Sequence, residues 1–160
     1  MIVVLHNLRS LHNVGSIFRT ADAAGAEKIY LCGITPEPMD RIGRFRPDLI
    51  KVSLGAEKTV AWDASARSTR ATLKLLERLK REGYKIFAVE QDKKSTPYFK
   101  LKVNSYKSKV AFIFGNEVKG LPKAILKKAD KILEIPMRGK KESLNVAVAA
   151  GIILFHFLHK

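Results

Sequence analysis

The sequence predicts an α/β domain, a mostly parallel β-sheet flanked by helices. Residues 2–5, 28–32, 85–90, 110–114 and 131–136 are short runs dominated by apolar residues. They lack the strict alternation of a half-exposed strand and read as strands covered on both faces. Segments with apolar residues every three or four positions separate them, and a strand–helix–strand order implies right-handed crossovers. A chain of 160 residues, 46% of them apolar, is long enough for one continuous core.

Ile2-Val3-Val4-Leu5 opens the sheet. Beyond the loop 6–12, Asn13 suits the N-cap of a helix running to about Ala24 and closed by Gly25. Val14, Ile17, Phe18 and Ala21 form its buried stripe. Arg19 then faces the other way, either solvated or displayed beside the first loop. Residues 33–47, rich in Pro, Gly and Arg, read as a loop in which Arg41, Arg44 and Arg46 either grip phosphate or stay solvated. Residues 51–55 and 59–62 read as short extended pieces. Residues 65–82 form a surface helix packed through Ala66, Leu73, Leu76 and Leu79. Arg67, Arg70, Lys74, Arg78 and Arg81 recur along another side, a stripe for phosphate or for solvent, with Glu77 placed to pair with Arg81.

Residues 91–109 are a polar connection. The strand at 110–114 empties into Gly115-Asn116-Glu117-Val118-Lys119-Gly120-Leu121-Pro122, with Pro122 in the first turn of a helix reaching about Ala129. The last strand runs into Met137-Arg138-Gly139-Lys140-Lys141-Glu142-Ser143-Leu144-Asn145, where Ser143 suits the N-cap of an apolar C-terminal helix.

Charge narrows the choice of partner. Thirty Lys and Arg against 15 Asp and Glu give +15, a field that draws polyanions and makes nucleic acid the leading partner class. The longest apolar run, residues 146–158, falls short of the ~20 residues that span a bilayer, and no secretory leader is evident, so a soluble protein without membrane partners is expected. The lone Cys32 excludes an intramolecular disulfide and a multi-cysteine zinc site, and fits a reducing cytoplasm. The four histidines make no convincing metal set, so no metal is expected.

Familiar motifs fail in instructive ways. Residues 115–120 have the glycine spacing that begins a P-loop, but Leu121-Pro122 stand where Lys and Ser or Thr are needed. No Gly-x-Gly-x-x-Gly follows a strand, and no nucleophile elbow surrounds Ser143. Three loops remain richest in chemistry: residues 7–19, 115–122 and 137–145.

Together these loops carry a resemblance. Asn13-Val14-Gly15-Ser16-Ile17-Phe18-Arg19-Thr20-Ala21, then Phe114-Gly115-Asn116-Glu117-Val118-Lys119-Gly120-Leu121, then Ile135-Pro136-Met137 with Ser143-Leu144-Asn145-Val146, resemble the three ordered motifs of the SpoU, or TrmH-like, RNA 2′-O-ribose methyltransferases. The resemblance spans essentially the whole chain. It implies the SPOUT fold, whose C-terminal part threads a deep trefoil knot that holds S-adenosylmethionine, and a homodimer with sites near the subunit interface.

By the same resemblance, Asn13, Arg19, Glu117, Ser143 and Asn145 take the catalytic positions. Val89, Glu90, Gly115, Asn116, Gly120, Ile135, Met137, Ser143 and Leu144 are implied as cofactor contacts, with Leu144 walling the adenine. Arg19 is implied either as a base assisted by an RNA phosphate or as a clamp on the developing alkoxide. The chain offers no room before Ile2 for the separate N-terminal RNA-binding domain of some members, so a single catalytic domain, residues 1–160, is expected to hold tRNA or rRNA itself. Arg9, Arg41, Arg44, Arg46, Arg67, Arg70, Lys74, Arg78, Arg138, Lys140 and Lys141 are the candidate RNA contacts. A catalytically silent RNA-binding protein on the same fold is the alternative; the presence of Arg19, Glu117, Ser143 and Asn145 argues against it.

Overall fold

The computed structural model describes residues 1–101 and 109–158. Strands β1 (Ile2–His6), β2 (Lys28–Cys32), β3 (Ala61–Asp63), β4 (Lys85–Val89), β5 (Thr96–Pro97), β6 (Val110–Phe114) and β7 (Lys131–Glu134) form one sheet in the order β3-β2-β1-β6-β4-β7-β5. Every pairing in it is parallel. The continuous apolar runs of β1 and β6 are explained by burial on both faces. Val3 and Leu5 join Phe112 and Phe114 in one core, while Ile2 and Val4 join Ala111 and Ile113 in the other, the two-residue period of a strand sending neighbours to opposite sides.

The first core is covered by α1 (Leu11–Ala23), α2 (Pro47–Ser53), α3 (Ala56–Thr59) and α6 (Val146–Leu158). The second is covered by α4 (Thr69–Arg81) and α5 (Lys123–Lys128). Among the described residues no helix is long and apolar enough to cross a membrane. Of the polar connection expected over residues 91–109, residues 102–108 lie outside the described residues, as does His159, one of the four histidines that make no convincing metal set. The described part of that connection contributes β5 at the sheet edge, which the sequence reading did not anticipate.

Several local expectations are corrected by tertiary contacts. Helix α1 starts at Leu11, capped by the Ser10 hydroxyl accepting from the Asn13 N–H, so Asn13 is already inside the first turn. Residues 51–55 are not extended: Pro47 and Asp48 open α2, Leu49 is buried, and Leu54 and Gly55 end the helix in left-handed conformations. Residues 33–46 hold a small hairpin, bridged at Met39 and Phe45, in which the Asp40 carboxylate accepts from the Ile42 and Arg44 N–H groups.

Helix α4 is shorter than residues 65–82, because Ser68 caps it through the Ala71 N–H. Ala66 is buried outside the helix, and Thr72, Leu75, Leu76 and Leu79 form its packed side. Glu77 pairs with Lys128 of α5 at 2.6 Å rather than with Arg81. The last strand stops at Glu134, two residues early. Pro122 caps α5 from outside. At the final helix the N-cap is Asn145, whose side chain accepts from the Ala147 N–H, so Ser143 lies in the loop before it.

With all strands parallel, the loops that follow β1, β2, β4, β6 and β7 emerge at one edge of the sheet, where open α/β sheets place their sites.

Candidate active site

At that edge lies a cleft of about 320 Å³ between the ends of β4, β6 and β7, closed by the loop before α6. Val89, Glu90, Gly115, Asn116, Gly120, Ile135, Met137, Ser143 and Leu144 all line it, as do Asn13, Glu117 and Asn145. Gln91, Val118 and Glu134 also line it without having been singled out from the sequence. Its walls are opposite in character to the chain as a whole. In a protein of net charge +15, the lining includes Glu90, Glu117 and Glu134 and no Lys or Arg.

The cleft's shape follows from two tight turns. Gly120 has φ +64, and a Cβ there would lie 2.3 Å from the Glu90 carboxylate, which accepts the Leu121 N–H at 2.8 Å. Asn116 folds its own loop, accepting the Val118 and Lys119 N–H groups through Oδ1. Gln91 ties the other wall by donating from Nε2 to the Ile135 carbonyl at 2.7 Å.

Three of the residues assigned to catalysis meet in one network. The Glu117 carboxylate accepts the backbone N–H groups of Arg9 and Ser10, and the Asn13 side-chain amide at 3.1 Å. Asn13 in turn accepts from Asn145 Nδ2 at 3.0 Å. Thus the start of α1, the turn after β6 and the cap of α6 are held to one another across more than 100 residues of sequence. Burial pushes the Glu117 carboxyl up, but these hydrogen bonds and its own N–H outweigh it and hold it below its ordinary value.

Asn7 fastens the neighbouring loops. It adopts the left-handed conformation (φ 60), accepts the Ile34 N–H through Oδ1 and accepts Asn116 Nδ2 through its carbonyl at 2.7 Å. Its amide nitrogen faces Nε2 of buried His6. The Thr72 hydroxyl already donates to Ser68, so it accepts from His6 Nδ1 and leaves Nε2 as an acceptor for Asn7. Burial lowers the His6 pKa, in keeping with that neutral tautomer. Nearby Cys32 is buried, and its thiol is pushed up to about 11, unsuited to nucleophilic work.

The profile of the SpoU rRNA Methylase family matches residues 1–155. The chain belongs to this family. Over 155 residues it is 30% identical to the 23S rRNA (guanosine-2′-O-)-methyltransferase RlmB of Ralstonia nicotianae, covering 97% of this chain and 57% of that protein. The chain therefore spans less than two thirds of that curated relative's length. Among solved structures it is similar to the A. aeolicus TrmH/SpoU tRNA modifying enzyme, with 31% identity, a TM-score of 0.79, and 99% and 73% of the two chains covered. It is likewise similar to the AdoMet-bound rRNA methyltransferase of Sinorhizobium meliloti, with 31% identity, a TM-score of 0.84, and 99% and 55% covered.

Against the SpoU motifs, Arg19 stands apart. It is exposed on α1, six positions beyond Asn13, so about 240° around the helix and outside the lining of its own cleft. Its neighbour Thr20 faces α6, where a Cβ on Gly151 would lie 3.9 Å from the Thr20 methyl. The basic residues also divide. Arg9, Arg138, Lys140 and Lys141 are exposed on loops at the cleft edge of the sheet. Arg41 is exposed on the hairpin, Arg44 is drawn back to Asp40, and half-buried Arg46 caps α2.

The stripe on α4 is less uniform than its spacing implies. Arg67 donates to the Thr35 carbonyl and pairs with Glu37, and Arg78 donates to the Tyr30 hydroxyl and pairs with Glu82. The helix starts at the cleft edge and its 13 residues run about 18 Å from it, so Arg70 is near that edge while Lys74 and Arg81 lie progressively farther away.

Proposed function

We propose that this SpoU-family chain is an S-adenosylmethionine-dependent RNA methyltransferase acting on a ribose 2′-hydroxyl of tRNA or rRNA. The acidic cleft in a strongly cationic protein carries this reading. A cationic sulfonium cofactor matches walls holding Glu90, Glu117 and Glu134, whereas a phosphate-rich ligand would find like charge there. The volume, the backbone at three strand ends and the apolar side chains of Ile135, Met137 and Leu144 also fit such a molecule. When bound, it supplies a methyl group already activated for transfer.

The protein's own task is then alignment and proton handling. Asn13, Glu117 and Asn145 fix the loops that meet the ribose, and Ser143 offers its hydroxyl beside them. Glu90 and Gln91 hold the cofactor wall. The exposed Arg9, Arg41, Arg70, Arg138, Lys140 and Lys141 draw RNA towards an opening that is itself acidic. The C-terminal trefoil knot belongs to the same reading, supported by the passage from β7 to α6, which packs on α1. A cytoplasmic place is where such RNA is met.

Titration calorimetry with S-adenosylmethionine is expected to give saturable one-site binding, and methylation assays with tRNA and rRNA to place the label on a ribose. Absence of cofactor binding would favour the RNA-binding protein without activity, the reading that Arg19's distance from its own cleft favours.

The homodimer is supported by α6. Val148 and Phe155, seven residues and two turns apart, leave 51% and 38% of their surface exposed on a helix otherwise built for burial. A second copy seated there puts α1, and Arg19 with it, beside the subunit boundary. Phe155→Asp is expected to convert a dimer to monomers in analytical ultracentrifugation; an unchanged sedimentation coefficient would remove α6 from the interface. Arg19→Lys keeps the charge but loses the planar fork, and is expected to lower kcat by about 100-fold with RNA and cofactor still bound. Unchanged turnover would exclude Arg19 both as assisted base and as clamp.

A further inference from the structure

The sheet order β2-β1-β6 brings three loops side by side at the cleft edge. Exposed on them are Ile34 after β2, Arg9 after β1 and, between exposed Glu117 and Lys119, Val118 after β6. Ile34 is 63% and Val118 83% exposed. Ile42, 69% exposed between flanking Arg41 and Arg44, lies on the hairpin farther along the same loop after β2. Neighbouring strands lie about 4.8 Å apart, so the loops after β2 and β6 are separated by about 10 Å. Val118 stands at the cleft itself.

This row is not a set of loose loop tips. The Ile34 N–H is held by Asn7 Oδ1, Asn116 Nδ2 by the Asn7 carbonyl, and the Arg9 N–H by Glu117, the residue before Val118. The three loops are therefore bonded to one another through the side chains of Asn7, Asn116 and Glu117, while Ile34, Arg9 and Val118 keep their own side chains exposed.

We propose that Ile34, Arg9 and Val118 form a fixed track that holds an unpaired RNA segment as it enters the cleft. The inference rests on the reading above that the chain acts on RNA. Aliphatic side chains gain nothing from phosphates or from the outside of a duplex, where base faces are stacked away. They gain from the faces of unpaired bases, which leave water on contact. A guanidinium set between them meets the connecting phosphate. Apolar, cationic and apolar groups in sequence thus match base, phosphate and base.

The test is fluorescence anisotropy with a labelled single-stranded RNA and a duplex of the same sequence, each across a range of salt. Ile34→Ser with Ile42→Ser is expected to weaken single-strand binding by about 10-fold, leaving duplex binding and the slope of log K against log salt unchanged. Arg9→Gln is expected to weaken binding and to reduce the slope by about 0.7, the share of one phosphate. Cofactor calorimetry should match wild type for all these variants, since none of these residues lines the cleft. Single-strand binding unaffected by the serine pair, or duplex binding weakened equally, overturns the track. If the wild type binds cofactor and RNA and the substitutions leave single-strand binding unchanged, the track alone fails; if the wild type binds neither, the proposed function fails with it.

Discussion

Glu117→Ala is expected to lower methyl transfer by about 100-fold while changing cofactor affinity far less. The carboxylate is the acceptor for Arg9 N–H, Ser10 N–H and Asn13 Nδ2. Its removal orphans donors at the start of α1 and frees Asn13, which in turn positions Asn145. A displacement of about 1 Å in groups that align a reaction is enough for a loss of this size. Glu117→Gln keeps one acceptor oxygen but turns an amide towards donors, and an intermediate loss is expected.

A measurement of folding stability against pH separates this anchoring from direct chemistry. The folded carboxyl titrates below its ordinary 4.5, so between the two values the unfolded chain binds more protons than the folded one. Stability from Glu117 is therefore complete above the ordinary carboxylate range and is lost as pH falls through the depressed folded value. Wild type should lose stability over that acid window more steeply than Glu117→Gln. Identical acid profiles, with full activity in Glu117→Ala, would remove Glu117 as the link between α1 and the β6 turn.

The strands were legible because their burial is local and total. Val110-Ala111-Phe112-Ile113-Phe114 has no polar position to spare, and the structure buries all of it. Helix starts were less legible because capping residues compete. Ser10 and Asn13 both suit an N-cap, and what decides between them is a partner at position 117, which makes the Asn13 amide a tertiary contact. The same ambiguity recurs at Ser143 and Asn145, where only Asn145 reaches back to its helix. Residues 51–55 misled because Pro47, Asp48 and the left-handed pair Leu54 and Gly55 define α2 from its ends.

The three site motifs converge on the cleft except at Arg19, whose place depends on which face of α1 it occupies. Asn7 was legible only as the start of a chemistry-rich loop, because an asparagine with positive φ is invisible in composition and its loop partners Ile34 and Asn116 are distant in sequence. The cleft's acidity was hidden by the net charge, since Glu90, Glu117 and Glu134 sit at the ends of different strands and meet only when β4, β6 and β7 lie side by side.

Gly115→Ala is expected to weaken cofactor binding by at least about 10-fold and to destabilise the fold by about 1–3 kcal/mol. Gly115 directly follows β6 and is buried, and a Cβ there would lie 2.7 Å from both Gly120 C and Leu121 N. Those atoms belong to backbone, so no rotamer change relieves the contact. Nor is that backbone free to retreat: Gly120 N–H donates to the Asn116 carbonyl and Leu121 N–H to Glu90, so moving the turn breaks the bonds that shape two walls of the cleft. Gly139→Ala is the matched comparison, because nothing lies within 4 Å of its Cβ position and its φ is outside the left-handed region; cofactor affinity and melting temperature should stay at wild-type values. Calorimetry and thermal unfolding on the two variants read both effects. Should Gly115→Ala bind S-adenosylmethionine as tightly as Gly139→Ala despite a lowered melting temperature, the turn after β6 would be a stability element alone, and the cofactor would have to be held elsewhere.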